Sequence, residues 1–234
     1  MSNKISVVII AKNEERYIKN AILSSKFANE ILLLDSGSTD NTCVIAESLG
    51  VRIVHQDWLG FGKQKNKAIE LASNDWVFVL DSDERITEKL KIEILEVLEN
   101  PSYDGYSVAR LNYFFGKCIK SCGLYPDYSI RLFNRKKGQF NDVPVHESVQ
   151  LKGKKSKLKN QLVHLAYENE DEFILKQKKY AALSLNKPNH IKSLLSPIWT
   201  FFKIYFVKYG FLDGKHGFKI ALIYSKYTHW KYKK

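Results

Sequence analysis

The chain has 234 residues, 44 % of them hydrophobic and 13 % aromatic, which suits a domain with a real core and excludes a disordered chain. Its formal charge of +12 favours anionic partners such as phosphates, acidic lipids or nucleic acid. The three cysteines, Cys43, Cys118 and Cys122, are too few and odd in number for a disulfide framework; they read as reduced cytosolic thiols, and Cys118 and Cys122 lack a second pair for a zinc site.

Residues 5–11 are a short β-branched run, suited to a strand buried on both faces and too short for a secretory signal. A helix follows from Asn13-Glu14-Glu15, with Ile18, Ala21, Ile22 and Ser25 at inward spacing. Residues 30–34 form a second strand ending at Asp35, and Ser38 or Thr39 is placed to cap a helix that runs to about Leu49. A third strand spans 51–54, a Gly-Phe-Gly loop 60–62, a helix 63–72 and a fourth strand 76–80 ending at Asp81. Thr87 to Glu99 is helical. This alternation predicts a mostly parallel sheet with right-handed crossovers. From Tyr103 to about Leu165 the strands shorten and alternate, with a lysine-rich loop or hairpin at 152–159, and helical spacing returns from Glu168 to about Leu185.

In open α/β sheets ligands bind beyond the carboxyl ends of the strands. Two strands here end in aspartate, and the second continues as Asp81-Ser82-Asp83-Glu84. Three acids in four residues repel one another unless a cation sits among them, and their hard oxygens suit Mg²⁺ or Mn²⁺, which would stabilise a leaving diphosphate. The alternative is an acidic entry to the helix after Thr87.

Four stretches then fall in a familiar order: Ile5–Glu15; Glu30–Thr42 with its Asp35-Ser36-Gly37-Ser38-Thr39-Asp40 turn; Lys65-Asn66-Lys67-Ala68; and Asp81-Ser82-Asp83. Together they resemble the family 2 glycosyltransferases, over roughly residues 5–185. Arg131-Leu132-Phe133 and Val145-His146-Glu147 resemble the branch that contains lipopolysaccharide-core glucosyltransferases. The resemblance implies an α/β fold of the GT-A type: βα units, a mostly parallel central sheet, a smaller acceptor-side sheet and a C-terminal helical tail. It implies a catalytic domain over 1–189, with a nucleotide-sugar half to about 100, and inverting transfer of a hexose, with glucose favoured, from a UDP-sugar. The implied acceptor is a lipopolysaccharide or lipooligosaccharide core or related envelope glycan, with polyprenyl phosphate or capsule polymer as the alternative.

By the same resemblance, Ala11 and Glu14 line the nucleotide, Asp35 accepts from the uracil N–H, Asp81 faces the ribose or a metal-bound water, and Asp83 ligates the metal. A carboxylate suits the uracil because it only accepts. Lys65 stands where the family usually has arginine, so a point charge replaces a bidentate fork at the phosphates; it could equally be a solvated helix residue. Inversion needs a base opposite the leaving group, and Glu147 is the candidate, with Asp142 and Glu84 as alternatives. Arg131 either binds an anion or pairs with an acid. His164 either completes the metal shell, holds the acceptor or is a buried, hydrogen-bonded histidine.

From His190 onward there are nine lysines against one acid, Asp213, and residues 198–209 are dense in aromatics. No run reaches the ~20 apolar residues that spanning requires. Such a tail at 190–234 suits the headgroup region of an acidic leaflet, by attraction that salt would screen, or else packs on the catalytic domain. The expected location is cytoplasmic, peripheral on the inner membrane face. A nucleotidyltransferase would carry glycine in the loop after the first strand, where this chain reads Ala11-Lys12-Asn13-Glu14-Glu15. No nucleic-acid-binding motif accompanies the basic tail, so nucleic acid is not an expected partner.

Overall fold

The computed structural model describes residues 3–143, 147–184 and 187–233. The chain divides into two compact units, one of residues 1–110 and 128–164, the other of 111–127 and 165–234.

The first unit opens with strand β1 (Ile5–Ala11), helix α1 (Glu15–Ser24), β2 (Glu30–Asp35), α2 (Thr42–Ser48) and β3 (Arg52–His55). It continues with α3 (Phe61–Leu71), β4 (Trp76–Asp81), β5 (Glu84–Ile86), α4 (Glu88–Glu99) and most of β6 (Gly105–Phe114). After β7 (Lys117–Cys118), which belongs to the second unit, come β8 (Asp127–Asn134), β9 (Gly138–Phe140), β10 (Val149–Leu151) and the first part of β11 (Lys155–Tyr167). The sheet order is β3-β2-β1-β4-β8-β6-β11-β5, with β7 paired to β6, and β9–β10 form a separate two-stranded sheet.

β3, β2, β1 and β4 pair in parallel, as the βα alternation predicts, and β1 is buried along nearly its whole length because helices cover both faces. Beyond β4 the pairing turns antiparallel at β8, and β11 pairs antiparallel with β5. The lysine-rich stretch expected as a loop or hairpin is a bend at 152–153 followed by the start of β11, where Lys155, Lys157 and Lys159 alternate outward and are exposed. α1 buries Ile18, Ala21 and Ile22 at the expected spacing, and the Thr87 hydroxyl caps α4 by accepting from Leu90 N at 3.2 Å.

The cap expected for α2 differs. Its N-cap is Asn41, without a side-chain cap bond; Ser38 instead donates to Asp35, and Thr39 bonds Asn13. The reason is position: α2 starts only at Thr42, beyond the reach of Ser38, whose hydroxyl donates to Asp35 and accepts from Asn13 N, while Asp40 accepts from Thr42 N at 3.0 Å.

α3 begins at Phe61, two residues before the sequence suggests, and this places Gly62 against the chain near Asn141. A Cβ there would lie 2.2 Å from the Asn141 carbonyl oxygen. Gly62→Ala should therefore destabilise the protein by about 1–3 kcal/mol through overpacking. Thermal unfolding checks this, and an unchanged Tm would mean that the 141–143 backbone yields without cost.

The second unit holds the end of β6, β7, the end of β11, α5 (Glu170–Leu183), α6 (His190–Phe202) and α7 (Lys215–Lys233). A π-helical turn at Lys203–Val207 and a 3-10 turn at Gly210–Asp213 join the last two helices. Its core packs Phe114, Ile119, Tyr167 and Phe173 with Ile220 and Ile223 of α7. Residues 190–234 thus fold in one compact unit with 111–127 and 165–189.

Candidate active site

The site is built at the carboxyl ends of β2 and β4, the two neighbours of β1. The register sets Asp35 opposite Ala11 and Asp81 opposite Ile10, so both carboxylates emerge at one edge of the parallel sheet. Ala11 is buried, and its carbonyl accepts from Ser36 N at 2.9 Å. Glu14 N donates to the Thr42 hydroxyl at 2.7 Å, and Asn13 N to the Ser38 hydroxyl at 2.9 Å, so the loops after β1 and β2 are tied to each other.

Asp35 is fully buried and accepts from Gly37 N at 2.9 Å, Ser38 N at 3.0 Å and the Ser38 hydroxyl. Burial alone would raise its pKa, but these donors outweigh it and hold the carboxyl below the usual range. His55 Nδ1 lies 3.2 Å from the same carboxylate. Asp35, Cys43 and His55 offer ligand atoms all within 4.8 Å of one another. Burial, reinforced by the Asp35 charge, pushes the Cys43 thiol up to about 11. A thiol, an imidazole and a carboxylate suit a borderline-soft ion such as zinc, not Mg²⁺ or Mn²⁺.

Asp81 sits in an ion-pair network that reaches across the sequence. Lys65 Nζ on α3 is 2.9 Å from Asp81 and 2.8 Å from Glu147. Arg131 on β8 donates through Nη2 to Asp81 at 2.9 Å and to Glu84. Burial would raise the Asp81 pKa, but Lys65 and Arg131 together hold it far below the carboxylate range. Glu84 is completely buried, and burial pushes its pKa up against the pull of Arg131. Lys65 stays protonated because Asp81 and Glu147 overcome its burial.

Of the readings open for Arg131, this structure shows the acid pair: its guanidinium is buried between Asp81 and Glu84. Lys65 is likewise no solvated helix residue; it is 5 % exposed and bridges two carboxylates. The alternative bases fare differently from Glu147. Glu84 is enclosed against Arg131, and Asp142 is exposed and paired with Lys63 at 3.0 Å.

Asp83 and His164 are brought together by the sheet. β5 turns back directly after Asp83 and pairs with β11, with Glu84 opposite His164, and His164 Nε2 lies 3.4 Å from Asp83 Oδ2. Both side chains are partly open, at 25 % and 18 % exposure. A carboxylate and an imidazole that already converge and still reach solvent fit a divalent ion, whereas Asp81 is taken up by two cations. Val145 and His146, which the sequence comparison singles out, lie outside the described residues.

Sequence reasoning missed the neighbours of Lys65. Gln64 is fully buried and donates to the Ser36 hydroxyl at 2.9 Å. Asn66 closes a two-way clamp on Phe140, donating to its carbonyl at 2.9 Å and accepting from its N–H at 2.8 Å. Three successive residues of α3 thus reach the Asp35 turn, the Asp81–Glu147 pair and the strand before the Glu147 loop. The available signal was a glutamine one turn before Ala68, on the helix face that packs inward.

The sequence profile of glycosyl transferase family 2 matches residues 6–143, which contain Asp35, Lys65, Asp81, Asp83 and Arg131. The chain belongs to this family. It is 30 % identical over 239 residues to the lipopolysaccharide core biosynthesis glycosyltransferase LpsC of Rhizobium meliloti (strain 1021), covering 96 % of this chain and 88 % of that one. It is 29 % identical over 245 residues to an uncharacterized glycosyltransferase of Rickettsia bellii (strain RML369-C), covering 96 % and 83 %. Among solved structures, S. aureus TarS 1-349 superposes with a TM-score of 0.53 at 16 % identity, covering 97 % of this chain and 90 % of that one, which supports the GT-A fold alone.

Proposed function

We propose that this family 2 glycosyltransferase moves a hexose, glucose being favoured, from a UDP-sugar to a lipopolysaccharide or lipooligosaccharide core acceptor at a membrane surface, with inversion. The observation that carries the reading is the buried ammonium of Lys65, which joins Asp81 at the donor end of the sheet to Glu147, a residue 82 positions after Lys65 itself. The acceptor class is supported by the relative that covers nearly the whole chain and is named for lipopolysaccharide core biosynthesis. The donor half is assigned to about 1–100, the acceptor half to 101–189 and the membrane-facing tail to 190–234. The protein would work on the inner face of the cytoplasmic membrane.

In this mechanism Asp35 accepts from the uracil N–H, while Ala11 and Glu14 border the base and ribose. Glu147 takes the proton of the acceptor hydroxyl as that oxygen attacks the anomeric carbon from the side opposite the diphosphate, and the configuration inverts. Arg131 and Lys65 fix Asp81 in its ionised form toward the ribose, and Lys65 adds positive charge beside the diphosphate. Asp83 and His164 would hold Mg²⁺ or Mn²⁺, which supplies charge neutralisation of the leaving diphosphate.

Asp83→Ala should abolish the manganese-dependent part of UDP binding while the fold persists. Titration calorimetry of UDP with and without manganese reads this directly. If the variant keeps the wild-type metal dependence, the ion is held elsewhere, and the assignment of Asp83 and His164 falls.

A further inference from the structure

Helix α6 is built inside out. Ile191, Leu194, Leu195, Ile198 and Trp199 are between 60 and 70 % exposed, and Phe202 extends the row at 47 %. At 100° per residue these six side chains fall within an arc of roughly 140°, one continuous stripe. The opposite side carries the polar groups and is packed on α7. The Ser193 hydroxyl lies 3.1 Å from His229 Nδ1, Thr200 Oγ1 is 3.2 Å from Thr228 Oγ1, and Ser225 donates to the Pro197 carbonyl at 2.8 Å. A helix in water turns its apolar stripe inward and its hydroxyls outward; α6 does the reverse. The exposure continues past the helix through Phe206, Val207, Tyr209, Phe211 and Leu212, at 45 to 70 %. A contiguous apolar surface of this extent marks a binding face.

Charge selects the occupant. Nine lysines against one acid from His190 onward would set like charges face to face in a pair of copies, whereas an anionic lipid surface is complementary. Several of those lysines are engaged within the unit. Lys219 pairs with Glu170, Lys192 lies 5.9 Å from the Tyr232 ring, and Lys231 lies 6.0 Å and 5.6 Å from the Tyr227 and Tyr232 rings. Among the described residues no helix is long and apolar enough to cross a membrane.

We infer that α6 lies in the plane of an anionic membrane with its Ile191–Phe202 stripe inserted at the headgroup–acyl boundary, and that apolar insertion, not lysine attraction, holds the chain there. The inference rests on the membrane-surface location proposed above and specifies its mode. Its consequence is resistance to salt. At about 1 M salt the screening length falls to about 3 Å, which removes electrostatic adsorption and leaves insertion intact.

The test uses the full chain with phosphatidylglycerol–phosphatidylcholine vesicles at low and high salt, read by co-sedimentation and by the emission of Trp199, isolated as the difference from Trp199→Phe. Wild type should stay bound at high salt, with Trp199 shifted to the blue and quenched by lipids brominated on the acyl chain. The neutral double variant Leu194→Gln, Ile198→Gln should lose roughly tenfold or more of its vesicle affinity, while UDP binding confirms that it is folded. If high salt releases the wild type and the double variant binds equally well, insertion is overturned and adsorption through lysines remains. If the wild type ignores the vesicles at every salt concentration, the membrane location itself fails. Dimerisation without lipid that the double variant abolishes, together with no vesicle binding, would assign the stripe to a second copy and overturn the inference.

Discussion

Glu147→Gln is expected to lower the rate of sugar transfer by about 10²–10⁴-fold, the usual worth of a positioned general base. The amide keeps the shape of the side chain and can still accept from Lys65 Nζ, 2.8 Å away in the wild type, but it cannot take a proton. UDP affinity should change little, because Asp35, Asp81 and Asp83 are untouched and Lys65, the donor-side group that Glu147 contacts, keeps its pair with Asp81. Glu147 is held by Lys65 on one side and remains 14 % exposed on the other, which leaves it open to an approaching hydroxyl. The measurement is single-turnover transfer beside UDP calorimetry. Near-wild-type transfer would move the base to Asp142, which is exposed and only surface-paired with Lys63.

Arg131→Met should produce the largest loss of stability, about 3–5 kcal/mol, because it leaves the fully buried Glu84 without its closest cation and the partly exposed Asp81 with Lys65 alone. For a chain of this length that is a fall in Tm on the order of 10 °C. Adding Glu84→Gln should recover much of the loss, since it removes the carboxylate that is completely buried; the double-mutant cycle measures the coupling. The pH dependence has a defined sign. Asp81 is held below its ordinary value of 3.8, so its contribution is present above that value and fades as pH falls through the lower folded-state value. Losing one of its two cations raises the folded value toward the ordinary one, so Arg131→Met should begin to unfold at a higher pH than wild type on acid titration. A single variant as stable as wild type would show that the network contributes nothing net.

The sequence by itself determined the parallel half of the sheet. Short apolar runs at 5–11, 31–34 and 76–80 suit a sheet covered on both faces, and parallel crossovers put Asp35 and Asp81 at the same edge. Helix spacing likewise predicted the buried row of α1. What only the tertiary structure decided lies in long-range pairings and in where each helix starts. Nothing local to Arg131 shows that β8 runs antiparallel to β4 and delivers its guanidinium to Asp81, or that β11 returns to set His164 beside Asp83. Ser38 was expected as a helix cap, but α2 starts at Thr42, beyond its reach, and its hydroxyl instead ties Asp35 to the Asn13 loop. The tail shows the limit most clearly. Its aromatics and lysines are visible in the composition, but periodicity alone cannot say which face of an amphipathic helix packs inward. Only the fold shows that α6 gives Ser193 and Thr200 to α7 and leaves Leu194, Ile198 and Trp199 outside, because the hydrogen bonds that satisfy its polar side come from a helix about thirty residues further along the chain.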